Sequence, residues 1–227
     1  MSHDKNGFAK KIFIFSALFI FSISILFSQN IPQVVDSNVF FLDGKTQIQL
    51  GRNDYYHIFL KQNRFVYIKQ QMKLNYGEYT LTFYDFYGKK VAQPGMVTGE
   101  MRLVFAETTG RVLAGQIAIL TRQNESYLYD LDGNLINVLI HDYNTKQIGI
   151  TEDEKYFWFA ANKMRPLNPG EKPLLPNWTH IPYNHIMIFD VYTGNFLVDY
   201  STLEADFSFL INGKKYTIPV SLPDIPG

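Results

Sequence analysis

The side chains best suited to binding chemistry lie in and beside one segment, residues 163–183. The segment is rich in Pro and Asn and contains Arg165, Trp178, His180 and Tyr183, with His185 just beyond it. Trp, Tyr and Arg are the residue types that contribute most to binding energy at protein interfaces. A connection of this length without regular structure is often functional. The segment therefore predicts a binding surface. The alternative is a Pro-rich lid that packs Trp178 over the protein's own core.

The sequence contains fewer of the residues that a metal site or a catalytic site needs. His180 and His185 could supply two imidazole ligands, but zinc and copper need at least a third, and no adjacent residue provides one. The sequence contains no nucleophile elbow, phosphate-binding loop, dinucleotide fingerprint, zinc-protease motif or complete EF-hand loop. We therefore expect no metal and no cofactor, and we favour a protein without catalytic activity.

The composition excludes several classes of partner and site. The chain has 227 residues, which fits one domain or at most two, and 21 basic and 21 acidic side chains balance to a net charge of zero. A neutral chain lacks the positive field that binds phosphate backbones, so we expect no nucleic-acid binding. The absence of cysteine excludes disulfides, thiolate nucleophiles and thiolate metal sites.

Residues 1–29 have the composition of an export leader. Three lysines precede an apolar run, residues 12–27, and a serine follows it. This order is typical of a signal peptide, and the run is shorter than the about 20 residues that span a bilayer. We expect a cleaved signal peptide, with an uncleaved signal anchor as the alternative. Either predicts an exported body that is periplasmic or otherwise extracytoplasmic, or is anchored in the cytoplasmic membrane by residues 12–27 alone.

One turn motif recurs four times in residues 30–227. In each copy an apolar run ends in Asp, a Gly follows one to four residues later, and Lys or Asn precedes the next apolar run. The four acids are Asp43, Asp85, Asp130 and Asp190, at spacings of 42, 45 and 60 residues. Gly tolerates the positive φ of a tight hairpin, and Asp can bond the backbone two residues on. These Asp residues are therefore predicted to form turns.

A hairpin period of this length resembles the blades of WD-repeat-like β-propellers, although no Trp-Asp dipeptide and no specific family is recognisable. The resemblance implies an all-β repeat domain over residues 30–227. Its blade-like units would be 55–93, 101–140 and 147–201. Residues 39–50 and 207–222 would combine into a shared fourth unit that closes a small, about four-bladed ring. An open β-sheet or a sandwich of hairpins, completed by a second copy, is the alternative.

The resemblance also implies where a ligand binds. Each propeller blade has four strands, named A to D in chain order. The loops between strands B and C, and those between strand D and strand A of the next blade, lie on one face, where ligands usually bind. Lys73 and Arg122, in the other two B–C loops, would then share a face with Arg165 and form a small basic spot. The candidate binding residues are Arg165, Trp178, His180, Tyr183, His185, Lys73 and Arg122.

These features favour a non-catalytic binding or scaffolding module of the cell envelope whose partner is an envelope protein or a glycan. One alternative is a carbohydrate-active hydrolase or lyase with acid and base groups drawn from separate blades. Another is a subunit of a larger envelope complex in which an incomplete ring pairs its edges with a partner. Membrane contact is expected only through an uncleaved leader, and the sequence leaves the oligomeric state open.

Overall fold

The computed structural model describes residues 30–72, 77–95, 97–117, 124–143, 145–173, 176 and 178–222. The leader 1–29, Lys73 and Arg122 lie outside these residues. The described part consists of β-strands and the turns that join them, with no helix. The prediction of an all-β fold is therefore confirmed.

Three antiparallel meanders of four strands form the body, and we call them blades 1, 2 and 3. Blade 1 comprises β4 (Tyr55–Phe59), β5 (Arg64–Met72), β6 (Gly77–Asp85) and β7 (Lys90–Ala92). Blade 2 comprises β8 (Val97–Ala106), β9 (Arg111–Ile117), β10 (Asn124–Asp130) and β11 (Leu135–His141). Blade 3 comprises β12 (Thr145–Ile150), β13 (Tyr156–Pro166), β14 (His180–Asp190) and β15 (Phe196–Thr202). These bounds coincide with the predicted units to within four residues.

Two smaller sheets flank the blades. The first, which we call the N-terminal sheet, comprises β1 (Gln33–Val35), β2 (Asn38–Phe40) and β3 (Gln47–Gln49). The second, the C-terminal hairpin, comprises β16 (Phe207–Ile211) and β17 (Lys214–Ile218). The prediction paired residues 39–50 with residues 207–222, and that pairing is not part of this structure. Both edges of β2 are already occupied, by β1 and β3, and β16 pairs with β17 alone.

Successive sheets stack face to face, which follows from the alternation of side chains along each strand. In β13, Phe157 and Phe159 face blade 2, whereas Tyr156, Trp158 and Ala160 face the C-terminal hairpin. All five are buried, because blade 3 is covered on both sides. Burying each Phe stabilises the fold by about 2 to 3 kcal/mol.

Four apolar clusters hold the stack in chain order. They lie between the N-terminal sheet and blade 1, between blades 1 and 2, between blades 2 and 3, and between blade 3 and the C-terminal hairpin. A row of four-stranded antiparallel sheets, each packed on the one before it, is the arrangement of a β-propeller. The structure therefore has a β-propeller-like fold.

Blades 1 and 2 also share backbone hydrogen bonds, which the sequence did not predict. The first residues of β8 pair with the start of β6, with Gly77 opposite Gly99 and Tyr79 opposite Val97. The rest of β8 pairs with β9. The two blades therefore form one eight-stranded sheet. They share backbone hydrogen bonds, as strands of an open sheet do, and they also stack, as blades of a propeller do.

The four Asp residues of the repeated motif form turns, as predicted. The Oδ1 atoms of Asp85 and Asp130 each accept the backbone N–H groups two and four residues on, all at 2.9 Å. Oδ1 of Asp190 accepts the N–H three residues on at 2.8 Å, and Oδ1 of Asp43 accepts those two and three residues on. The Gly of each motif has a positive φ between 66° and 82°.

Each motif Gly in the blades also contacts the preceding sheet. The pairs are Gly88 with Thr46, Gly133 with Ala92, and Gly194 with Asn137. A Cβ atom at any of the three would lie less than 3.0 Å from that neighbour, closer than carbon atoms approach. The glycine therefore lets the end of each C–D hairpin press against the outer strand of the sheet before it.

Candidate functional site

The segment 163–183 is strand at both ends, residues 163–166 and 180–183, and is not one loop throughout. β13 and β14 pair continuously from Tyr156 opposite Asp190 to Pro166 opposite His180. The neighbouring strands stop earlier, because β12 reaches only Ala161 and β15 only Asn184. Residues 162–166 and 180–183 therefore project as a two-stranded ribbon, which we call the ribbon. It leads into what we call the tip loop, of which the structure describes residues 167–173, 176, 178 and 179.

The tip of the ribbon is tied down by Arg165. Its two terminal nitrogens donate to the two carboxylate oxygens of Glu171 at 2.7 Å each, and Glu171 also accepts the backbone N–H of Asn168 at 2.9 Å. The hydrogen bonds from Arg165 and from Asn168 lower the pKa of Glu171 to about 2. Arg165 therefore orders the tip loop. Its charge is paired with that of Glu171, and its place in the predicted basic spot stays a prediction.

The base of the ribbon carries a cluster of four ionisable side chains. Asp142, between β11 and β12, receives His185 Nδ1 on one carboxylate oxygen and Lys163 Nζ, at 2.9 Å, on the other. His185 Nε2 contacts Asp199 at 2.7 Å. Carboxylates only accept, so the ring donates to both when it is the imidazolium. Two carboxylates and two cations then balance, and the cluster joins the ribbon to the D–A connection and to β15.

The environment of Asp142 favours its ionised form. Partial burial acts to raise the pKa of its carboxyl, but the hydrogen bonds from His185 and Lys163 outweigh this, so the pKa lies below its usual value. Both of its oxygens are already in contact with a side-chain nitrogen, Lys163 Nζ on one and His185 Nδ1 on the other. In the described ranges no group of three or more His, Asp and Glu side chains is arranged to hold a metal.

A layer of buried polar side chains supports the cluster from below. The Asn124 amide donates to the carbonyls of Asp142 and Tyr143 at 3.0 and 2.8 Å. His141 contacts Ser126 Oγ at 3.0 Å and Thr145 Oγ1 at 2.9 Å. Burial lowers the pKa of His141 to about 4, so the ring is neutral at neutral pH. Asp142, Tyr143 and Thr145 are therefore held in place under the base of the ribbon.

The other predicted residues divide between the two faces of the ribbon. Register and alternation place Lys163, Arg165 and Tyr183 on one face, and Met164 and His180 on the other. Met164 is 44% exposed, and Pro166 and His180 beside it are also exposed. Trp178, in the tip loop, is half-buried. We call Met164, Pro166 and His180 the ribbon surface.

Sequence reasoning missed Asp142, Asp199 and two of the three residues of the ribbon surface, Met164 and Pro166. Asp142 lies 43 residues from His185 and Asp199 lies 14 residues from it, so no local pattern connects the three. The propeller resemblance held a usable signal, because it places D–A connections such as residues 142–144 beside B–C loops. Lys73 and Arg122 lie outside the described residues, so their place beside Arg165 stays a prediction.

No helix among the described residues is long and apolar enough to cross a bilayer. No known protein family matches the chain, and no curated protein is similar enough to count as a relative. Solved structures of similar shape exist, and three of them illustrate the range.

The β-propeller domain of the Trilobed protease from Pyrococcus furiosus has a TM-score of 0.37 and 11% identity, over 79% of this chain and 44% of that one. A eukaryotic initiation factor has a TM-score of 0.43 and 12% identity, over 70% of this chain and 38% of that one. Pyrococcus horikoshii acylaminoacyl peptidase has a TM-score of 0.39 and 9% identity, over 79% and 25%. The chain thus spans less than half of each, and its own stacked four-stranded meanders are what make its fold propeller-like.

Proposed function

We propose that the protein is a non-catalytic binding or scaffolding module of the cell envelope. Its ribbon surface, Met164, Pro166 and His180, would contact an envelope protein or a glycan. The export leader predicted for residues 1–29 supplies the address, and the neutral charge is compatible with partners other than nucleic acid.

The observation that carries the proposal is a projecting ribbon fixed at both ends. The Arg165–Glu171 pair orders its tip, and the Asp142–His185 cluster anchors its base. Its outer face nevertheless leaves an apolar side chain, Met164, 44% exposed. A surface already held in one conformation loses little entropy when a partner binds, which favours affinity. Met is also a side chain that adapts to the shape of its partner.

The test is cross-linking in intact cells with the tagged full-length protein, paired with co-sedimentation on isolated cell-envelope polymer. The ribbon variant Met164→Ala/His180→Ala removes exposed side chains only, so the fold should persist. The matched control Tyr87→Ala/Tyr192→Ala removes two exposed side chains from C–D hairpins. We expect one defined envelope protein, or the polymer, to be captured by wild type and control and at least about tenfold less by the ribbon variant.

Equal capture by the ribbon and control variants would overturn the ribbon as the binding surface. The address is tested separately, by protease added outside cells whose outer layers are opened. We expect the body to be digested in wild type and protected when residues 1–29 are deleted. Protection in both would overturn the assignment to the envelope.

A second candidate, a carbohydrate-active hydrolase or lyase, is favoured by one specific feature. Asp142 and Asp199 place two carboxylates on either side of His185, which is the kind of residue set that performs acid and base chemistry. Asp199→Asn keeps the size of the side chain and removes its charge. Release of soluble sugars from envelope polymer by wild type, lost in Asp199→Asn, would favour the enzyme. Equal values at background level would exclude that activity for the polymer tested.

A further inference from the structure

The contact between each C–D hairpin and the sheet before it repeats three times and then stops at both ends of the stack. In two of the three interior contacts the motif Gly packs on a strand position that pairs with the residue two before the motif Asp, and in the third it packs on Thr46, just before β3. In blade 2 that pair is Leu128 with Asn137, and in blade 1 it is Phe83 with Ala92. Each interior contact therefore joins a hairpin of one sheet to a fixed position on the sheet before it. We call that position the slot.

The N-terminal sheet carries a fourth hairpin of this kind without a slot to fill. Asp43 accepts the backbone N–H groups of the next turn residues, and Gly44 has a φ of 66°. Gly44 N–H bonds the carbonyl of Phe41, so this turn is a shorter variant of the interior ones. A Cβ atom at Gly44 would meet nothing within 4 Å, in contrast to Gly88, Gly133 and Gly194. Lys45, the next residue, is exposed. The hairpin therefore resembles the interior hairpins. Leu42 N–H bonds the carbonyl of Phe86 in blade 1 at 2.9 Å, whereas the space beside Gly44 is not filled by any described residue.

Blade 3 carries the matching slot without a hairpin. The position equivalent to Asn137 is Val198, because it pairs with Ile188, two residues before Asp190. An open cleft of about 360 Å³ lies there, between the end of β15 and the turn of the C-terminal hairpin. Its lining residues are Tyr156, Asp190, Leu197, Val198, Leu210 and Asn212. Leu197 and Leu210 are 43% and 65% exposed, so apolar area is available for a partner.

We propose that the slot at Val198 receives the Asp43–Gly44 hairpin of a second copy of this chain. The interior contacts show that a hairpin of this type fits a slot of this type. In each chain the space beside Gly44 and the slot at Val198 are both left unfilled by the described residues. Lys45 on the hairpin and Asp190 in the slot have opposite charges. The proposed contact between two copies resembles the interior contacts between blades. In those contacts side chains pack against each other, and no strand adds backbone hydrogen bonds to the neighbouring sheet. The proposed contact therefore does not need the edge of β2, which already pairs with β1.

The pairing is reciprocal, hairpin to slot in both directions, and two copies complete it. Each chain offers one hairpin and one slot, so two chains related by a twofold axis fill both slots and close the assembly. This interface uses the two ends of the stack and leaves the ribbon surface free. It therefore stands independently of the function proposed for the ribbon.

The test is disulfide trapping in the full-length chain, which has no native cysteine. Lys45→Cys and Asn212→Cys are made in separate chains that carry different tags, and the two are mixed under mild oxidation. We expect a mixed disulfide dimer at about tenfold the yield given by Lys45→Cys mixed with Met164→Cys, whose cysteine lies on the ribbon. Equal yields in the two mixtures would overturn the proposal.

Two further variants separate the remaining outcomes. In the double variant Lys45→Cys/Asn212→Cys, a covalent dimer supports the second copy. A monomer with both thiols consumed shows closure within one chain and overturns the proposal. Leu197→Glu/Leu210→Glu changes exposed side chains only, so the melting temperature should hold while the trapped yield falls about tenfold, because unpaired charges would be buried in the joint. An unchanged yield would contradict the slot.

Discussion

His141 is the side chain whose ionisation the fold constrains most clearly. It is 4% exposed and lies between Ser126 and Thr145. The Thr145 hydroxyl donates to the carbonyl of Asp142 at 2.7 Å, so it accepts from His141 Nδ1–H, and Nε2 is left to accept from Ser126. Every polar atom of the neutral ring is therefore satisfied, whereas a charged ring would be buried away from water.

We expect stability to fall as the pH drops from about 6.5 to 4 because of this ring. Burial lowers the pKa of His141 from 6.5 to about 4, so in that window the unfolded chain binds a proton that the folded chain resists. The shift in pKa lowers the free energy of unfolding by about 2 kcal/mol between pH 7.5 and pH 5. Urea unfolding at the two pH values measures it, and His141→Gln should lose this part of the pH dependence.

His180→Gln is the matched control, because His180 is exposed and its ring remains in water. Its pH dependence should equal that of wild type. A His141→Gln variant whose stability falls between pH 7.5 and pH 5 as steeply as wild type would show that other groups cause the pH dependence.

At the scale of elements, the C–D hairpins act as joints between sheets as well as turns within them. The Gly133 hairpin presses on blade 1 at Ala92, and Asp132 in the same hairpin pairs with Arg64 of blade 1 at 2.9 Å. The Gly194 hairpin presses on blade 2, where the Asn137 amide donates to the carbonyl of Thr193 at 3.1 Å. The motif residues therefore affect the packing of two sheets at once.

Gly133→Ala and Gly170→Ala separate these two effects. Both glycines have a positive φ, 78° and 84°, so both variants carry similar backbone strain of about 1 to 2 kcal/mol. A Cβ atom at Gly133 would collide with Ala92, whereas one at Gly170 meets nothing within 4 Å. We expect Gly133→Ala to lower the free energy of unfolding by about 2 kcal/mol more than Gly170→Ala.

Chemical denaturation of the two glycine variants provides the measurement. Equal losses would mean that the hairpin moves away from blade 1 without cost, and that the joint does not stabilise the stack.

At the scale of the whole molecule, the stack relies on its end pieces to cover apolar faces. Tyr156, Trp158 and Ile188 of blade 3 are buried only because the C-terminal hairpin packs on them through Phe209 and its neighbours. On the outer side of the hairpin, residues such as Ser208 and Thr217 are exposed and bond each other at 2.9 Å. The hairpin therefore has one apolar and one largely polar face, as terminal units of repeat proteins do.

Phe209→Ala and Leu210→Ala test this coverage with adjacent residues on opposite faces. Phe209 is 4% exposed and Leu210 is 65% exposed. We expect Phe209→Ala to destabilise the protein by about 3 kcal/mol and to shift the fluorescence of buried Trp158 to longer wavelength. Leu210→Ala should change stability by less than about 0.5 kcal/mol. Similar losses in the two variants would contradict the packing of this hairpin.

The sequence predicted those features of the fold that local chemistry determines. Asp85, Asp130 and Asp190 each bond backbone groups within four residues, so their turns and the bounds of the blades could be inferred from spacing alone. β1 and the pairing of Gly77 with Gly99 could not, because β1 is three residues long and the pairing joins two separate hairpin systems. The shared fourth unit was predicted without β1, which occupies the edge that the unit needed.

The candidate site was predictable in position but not in partners. Residues 163–183 were interpreted as a loop because they contain several prolines, yet β13 and β14 continue through Pro166 and Pro182. Proline is tolerated there because the ribbon extends past its neighbours, so its strands have free edges that need no ladder hydrogen bond. Arg165 was expected to meet a ligand, and it meets Glu171, six residues away, because the tip loop folds back.

The pairing of β8 with β6 has a consequence for how the protein comes apart. Blades 1 and 2 share a ladder of backbone hydrogen bonds, whereas blade 3 meets blade 2 across the apolar cluster that includes Phe157 and Leu128, in a sheet of its own. Blades 1 and 2 should therefore open as one cooperative unit and blade 3 as another. In native-state hydrogen exchange, amides of β5 and β9 should share one opening free energy that differs from that of β13.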